Sequence, residues 1–150
     1  ARQNGIETAI LRRRDYPSQE ALDDALLDVL EAHDIGLIVL AGYLSILSER
    51  VVRAYDRKII NVHPSLIPSF CGAGYYGLKV HEAALAYGVK VTGATVHFVN
   101  EIPDAGKIIL QKAVEVREGD TPETLQRRVM EEAEWQLLPQ AVAMFCQGEI

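Results

Sequence analysis

The decapeptide Ile59-Ile60-Asn61-Val62-His63-Pro64-Ser65-Leu66-Ile67-Pro68 decides how the chain is read. An apolar run climbs to Asn61 and His63 and stops at Pro64, which places the pair where a strand gives way to a loop. Residues two apart on a strand point to the same side, so an amide and a titratable imidazole can be aimed at one point. Strand ends in open α/β sheets are where ligands bind. The plainer alternative is a packed histidine followed by an ordinary proline turn, and these ten residues alone leave both readings open.

Upstream, residues 36–41 are a continuous apolar run, the pattern of a parallel strand covered on both faces. Residues 42–47 form its outgoing loop, and Ser48 caps a helix through Tyr55. Ser18 opens an earlier helix to about His33. There Ala21, Leu22, Ala25, Leu26, Val29 and Leu30 recur at helical spacing, and the opposite face is acidic and expected to be exposed. Residues 6–11 alternate as a short strand would, and 12–17, with three arginines, read as a solvated connector. Residues 1–5 read as the last turn of a helix with its glycine stop, which suggests that residues upstream are missing.

Downstream, residues 78–87 have a helical pattern. Residues 90–99 and 107–116 are β-rich and separated by the loop 100–106, as antiparallel neighbours would be. Asp120 and Thr121 before Pro122 mark a helix start. That helix runs to about Gln147, buries Leu125, Val129, Leu137 and Val142, and is kinked or broken by Pro139. Strands alternating with helices predict a doubly wound sheet with right-handed crossovers.

A chain of 150 residues with 49% apolar residues suits one domain, 1–150, with a buried core. Its net charge of -6 argues against a nucleic-acid-binding face, and no apolar segment reaches membrane-spanning length. Cys71 and Cys146 make neither a disulfide framework nor a metal spacing, which fits a reducing cytoplasm.

Three polar groups stand at strand ends or in adjacent loops: Asn61, His63 and Asp104. An amine attacking a carbonyl needs no enzyme nucleophile, only a donor for the oxygen that turns negative and a group to move protons. Asn61 can be the donor and His63 the proton carrier. A carboxylate beside the imidazole would favour its charged form and fix its orientation, and Asp104 is the candidate, although a turn former after Pro103 would look the same. His97 is expected to be a packed or hydrogen-bonded strand residue, while His81 and His33 are expected on helix surfaces. No histidine has partners at ligand spacing, so no metal is expected. Ser65 lacks a nucleophile elbow. Gly72, Gly74 and Gly77 match G-x-G-x-x-G, but a proline-rich loop precedes them rather than a strand, so a mobile loop beside a pocket accounts for them better than a dinucleotide site.

Three ordered motifs carry a resemblance: Val39-Leu-Ala-Gly-Tyr-Leu-Ser-Ile-Leu47, Ile60-Asn-Val-His-Pro-Ser-Leu-Ile-Pro68, and Gly93-Ala-Thr-Val-His-Phe-Val99 with Asp104-Ala-Gly106. Over essentially the whole chain they resemble the folate-dependent formyltransferases, and within them the phosphoribosylglycinamide formyltransferase (glycinamide ribonucleotide transformylase) family. The resemblance implies an α/β formyltransferase fold, a doubly wound, mostly parallel sheet with an antiparallel C-terminal strand, here without its first strands. It implies an enzyme that moves the formyl group of 10-formyltetrahydrofolate to the amine of glycinamide ribonucleotide. Asn61 would hold the formyl oxygen, His63 would act as general acid and proton carrier, Asp104 would support His63, and His97 would have a supporting role. The folate would lie along Leu44, Ser45, Ile46 and Leu47 and the loop Asn100, Glu101, Ile102, Pro103 and Asp104. Gln19 and Ser45 stand where the family often has arginines that meet the folate. An acidic residue of the last helix would meet the substrate amine side. Counting back from Pro139 gives Glu134, and counting forward from Arg128 gives Ala133.

The family's first strand and phosphate-binding loop have no counterpart before Ala1. With the first two strands absent, the strand at 6–11 and the one at 36–41 would stand about 14 Å apart rather than paired, and the chain alone would be inactive. The implied partners are the two small molecules, with no nucleic acid, membrane or metal, acting on a monomer or weak homodimer. A formyltetrahydrofolate hydrolase, which usually has a second histidine in place of Pro64, and a non-catalytic folate- or nucleotide-binding module are the alternatives.

Overall fold

The apolar run before His63 forms β2 (Ile59–His63), and the sheet is built outward from it in the order β1-β2-β3-β4. The partners are β1 (Ile38–Leu40), β3 (Val91–Phe98) and β4 (Ile108–Glu115) in a computed structural model that describes all 150 residues. Strand β1 is parallel to β2, whereas β2–β3 and β3–β4 are antiparallel, so the α/β class holds with a mixed sheet. Strands β1, β2 and β4 thus run the same way, as the mostly parallel expectation has it, and the strand that runs against them is β3 rather than the C-terminal one. After β2 comes a long loop, residues 64–77, before the ten-residue helix α3 (Leu78–Tyr87). Such a helix spans about 15 Å, and the loop reverses that travel, so β3 starts at the end where β2 stops. Strand–helix–strand alternation does not distinguish this return from a crossover.

Every second residue of β2 and β3 shares a face. Asn61 lies opposite His97 and His63 opposite Thr95, while Ile60 and Val96 belong to the other face. That second face is the core: Ile60, Ala94, Val96, Phe98 and Val114 pack against Leu125, Val129, Ala133, Leu137 and Ala141 of the C-terminal helices. The first face holds down the loop after His63. Thr95 Oγ1 donates to Ser65 O at 2.7 Å and accepts from Ile67 N–H at 3.1 Å, and Gln111 donates to Ile67 O at 3.0 Å. A bulge between Val96 and His97 shifts the pairing with β4 beside the site.

The C-terminal stretch starts as expected. Thr121 caps α4 (Pro122–Val129) in a reciprocal box with Thr124. The helix does not break at Pro139, which lies inside a continuous α5 (Trp135–Cys146); the interruption of this stretch is a π turn, Met130–Glu134, just before α5. Pro139 has no N–H for the Trp135 carbonyl one turn back. The core residues 125, 129, 133, 137 and 141 recur every four positions, which drifts about 40° per step on a regular helix. One wide turn takes up much of that drift and keeps the stripe on the core.

Several expectations fail. Residues 6–11 form no strand: they find no hydrogen-bonding neighbour in the sheet, and Ile6 and Ile10 are exposed. They do not pair with β1, and with no strand there the foreseen spacing has nothing to be measured between. Strand β1 is not covered on both faces: Val39 is 38% exposed, because α1 (Gln19–Ala32) packs mainly on α2 (Glu49–Ala54). The acidic face of α1 is not wholly exposed either, since Asp23 is buried and accepts from Gln19 Nε2 at 2.7 Å. No helix is long and apolar enough to cross a membrane.

Candidate active site

Asn61 and His63 project from one face of β2, and directly opposite Asn61 stands His97 on β3. Asn61 Nδ2 lies 3.2 Å from His97 Nε2. The other nitrogen of His97, Nδ1, donates to its neighbour's carbonyl, Phe98 O, at 2.9 Å. When the His97 ring is neutral, Nε2 is therefore the lone pair that accepts one N–H of the Asn61 amide and leaves the second N–H free; when the ring is protonated, Nε2–H is turned to the Asp104 carboxylate instead. His63 Nε2 donates to Phe70 O at 2.8 Å.

The third group arrives from the loop between β3 and β4. Asp104 Oδ2 is 3.7 Å from His63 Nδ1, and Oδ1 is 3.6 Å from His97 Nε2. Gly72 N–H donates to Oδ2 at 2.8 Å. Burial pushes the Asp104 carboxyl up, but the His97 imidazole, the Gly72 amide and the charge His63 can carry outweigh it and hold the group below its usual range. The loop reaches this position because Gly106 folds it onto the strand: a Cβ there would lie 1.6 Å from Phe98 O.

These side chains line a cavity of about 530 Å³, within the usual range for small-molecule sites. Leu44, Ser45 and Ile46 border it on one side and Asn100, Glu101 and Pro103 on another. Glu134 borders it from the π turn, while Ala133 is fully buried in the core, so the count back from Pro139 identifies the residue that faces the cavity. Burial pushes the Glu134 carboxyl up to about 7. Gln19, Leu47 and Ile102 lie outside the lining: Gln19 is turned to Asp23, and Ile102 is 65% exposed at the loop tip.

The glycine-rich loop also lines the cavity, with Gly72, Tyr75 and Tyr76. His81 is the largest surprise. Expected on the surface of α3, it is fully buried beside the cavity with neither ring nitrogen paired, and burial together with the charge of His63 lowers it to about 4. An apolar position in the α3 pattern was its one sequence signal, since Val80, His81 and Ala84 make up the buried face. His33 is at the surface as expected, bonded to Glu7. No group of three or more His, Cys, Asp or Glu side chains is arranged to hold a metal ion.

The geometry has counterparts. The chloroplastic phosphoribosylglycinamide formyltransferase of Arabidopsis thaliana is 41% identical over the whole chain, which covers 51% of that protein. The crystal structure of glycinamide ribonucleotide transformylase 1 from Symbiobacterium toebii superposes with a TM-score of 0.89 at 42% identity, over 98% of this chain and 66% of that one. A formyltetrahydrofolate deformylase from Pseudomonas syringae follows with a TM-score of 0.66 at 37% identity, over 73% of this chain and 35% of that one. The chain spans about half the length of the plant relatives it matches. The family model described as formyl transferase matches residues 1–142. An amide, two imidazoles and a carboxylate gathered on one cavity, in a chain matched over nearly all its length, make this a member of the formyl transferase family.

Proposed function

We propose that the chain carries the formyl-transfer chemistry of a phosphoribosylglycinamide formyltransferase, moving the formyl group of 10-formyltetrahydrofolate to the amine of glycinamide ribonucleotide in purine biosynthesis. The observation that supports this most is the free N–H of Asn61, held by His97 on the same cavity wall as His63 and Asp104. The folate, when bound, supplies an activated formyl carbonyl. Its ring would meet the apolar and backbone groups of Leu44, Ser45 and Ile46 and the loop 100–104, which suit a flat, hydrogen-bonding heterocycle.

Asn61 donates its free N–H to the formyl oxygen as negative charge gathers there, an interaction worth most in the transition state. His63 holds one proton on Nε2 against the Phe70 carbonyl, and a second proton would sit on Nδ1 facing the Asp104 carboxylate. A ring so protonated can give a proton to the collapsing intermediate, with Asp104 balancing its charge. Glu134, a carboxyl that titrates near neutrality, faces the same cavity and can accept a proton from the attacking amine side. The setting is the reducing cytoplasm, where Cys71 and Cys146 stay free, with the chain acting as a monomer or weak homodimer.

The test is turnover with both substrates. His63→Ala and Asp104→Asn should each lower kcat by about 10²-fold or more while folate affinity changes little. Unchanged turnover in both variants would remove the mechanism. The likeness to a deformylase supports a second reading, transfer of the formyl group to water. Formate release without the ribonucleotide would favour it, and Pro64, where that group usually has a second histidine, argues against it.

A further inference from the structure

Both groups read as catalytic are gripped by one short piece of backbone. The Phe70 carbonyl accepts from His63 Nε2 at 2.8 Å, and two residues on the Gly72 N–H donates to Asp104 Oδ2 at 2.8 Å. No side chain of this loop takes part, so the course of its backbone sets both bonds. That course is pinned through the Phe70 ring, which stands edge-on to Tyr75 of the same loop at 6.3 Å and to Tyr87 at the end of α3 at 5.9 Å. Phe70 itself has φ 49°, a left-handed conformation that a residue with a side chain keeps only where its surroundings hold it.

We propose that the docking of Phe70 on Tyr87 is a positioning clasp that presses the 70–72 backbone onto His63 and Asp104 and so decides which ring nitrogen of His63 carries the proton. With the clasp closed, the carbonyl holds a proton on Nε2, and Nδ1 faces a carboxylate that welcomes a second proton. With the clasp open, a neutral ring satisfies Asp104 by moving its single proton to Nδ1, which leaves Nε2 bare. The nitrogen beside the 70–72 backbone then presents a lone pair where it had presented a proton, and the number of protons on the ring is unchanged. Phe70 and Tyr87 act through His63 and do not touch reacting atoms. The kinetic consequence rests on the formyl-transfer reading, while the tautomer does not.

The test uses the full-length protein with ¹⁵N-labelled histidine, in the natural form and as Phe70→Gly, Tyr87→Ala and Phe70→Tyr. Glycine adopts the φ of residue 70 freely and so removes the ring without adding strain. Tyr87 is 81% exposed and dispensable to the core, so its variant decides the matter if Phe70→Gly fails to fold. Long-range proton–nitrogen spectra should show the His63 proton on Nε2 in the natural protein and shifted towards Nδ1 in Phe70→Gly and Tyr87→Ala, with Phe70→Tyr restoring it. In the same two variants kcat should fall about tenfold with KM within about twofold, and the acidic limb of the pH–rate profile should move. Identical His63 spectra and pH profiles in all four proteins would overturn the clasp. A natural protein without formyl transfer, but with the tautomer shift intact in the variants, would instead remove the functional reading and leave the clasp standing.

Discussion

Gly106 sits so close to the backbone of Phe98 that any side chain must move the loop carrying Asp104. Gly106→Ala is therefore expected to cost about 1–3 kcal/mol of stability and to lower turnover more than the loss of folded protein explains, measured by comparing kcat with denaturant melts. His81 makes a second residue-scale prediction. Its folded value near 4 lies below the ordinary 6.5, so the unfolded chain binds a proton that the folded chain refuses. Stability contributed by the neutral ring is full above pH 6.5 and drains away as pH falls towards 4, by at most about 3 kcal/mol. His81→Leu should flatten the stability curve across that window, and a curve as steep as the natural one would sink the assignment. Glu134 runs the other way: its folded value near 7 favours the folded state below the ordinary 4.5, and that contribution is lost as pH rises through 7. That Asn61 and His63 share a side could be read from strand alternation, while the loop after Pro103 offered Asp104 as a carboxylate without saying that it would reach them. The burial of His81 was missed because its polar side chain speaks for solvent, although its place beside Val80 and Ala84 puts it on the face that α3 buries.

At the scale of elements, α4 depends on a clamp at its start. Asp120 accepts two bonds from Arg128, both at 2.6 Å, and this guanidinium holds its carboxyl far below the usual range. The clamp stabilises the fold above the ordinary carboxylate value and is lost as pH falls through the depressed one. Arg128→Met should cost about 1–2 kcal/mol in chemical denaturation at neutral pH and leave turnover unchanged, since neither residue borders the cavity. The same helical stretch shows why two ways of counting gave two positions, only one of them an acid. The π turn holds one residue more than a regular helix would, so a count from Arg128 lands on Ala133 in the core and a count from Pro139 lands on Glu134 in the cavity. Caps, proline and glycine marked where these elements begin and end. The strand foreseen at 6–11 failed because alternation records a tendency to pair, and pairing needs a neighbour.

For the whole molecule, charge and topology matter more than any one element. The cavity is bordered by Glu101, Asp104 and Glu134 and by no lysine or arginine, on a chain of net charge -6. A ligand held by backbone and apolar groups suits this lining, and a phosphate does not. In separate calorimetric titrations the 150-residue chain is expected to take up a 10-formyltetrahydrofolate analogue at least about tenfold more tightly than the ribonucleotide, because the lining offers the phosphate no cation. Equal affinities would refute that electrostatic argument. The mixed sheet was the part of the architecture least open to reading, because the direction of β3 is set by a fourteen-residue loop whose course depends on Thr95 and Gln111, far away in sequence.

The odd positions of β3 perform three services in a row: Gly93 leaves room for Leu66, Thr95 ties the loop, and His97 orients Asn61. The even positions Ala94, Val96 and Phe98 fill the interior. A slip of this strand by a single residue would turn both sets inside out at once, so a misaligned chain would expose its greasy side as it lost its chemistry. Copies that fold wrongly are thus expected to aggregate or be degraded rather than linger as intact but idle binders of substrate.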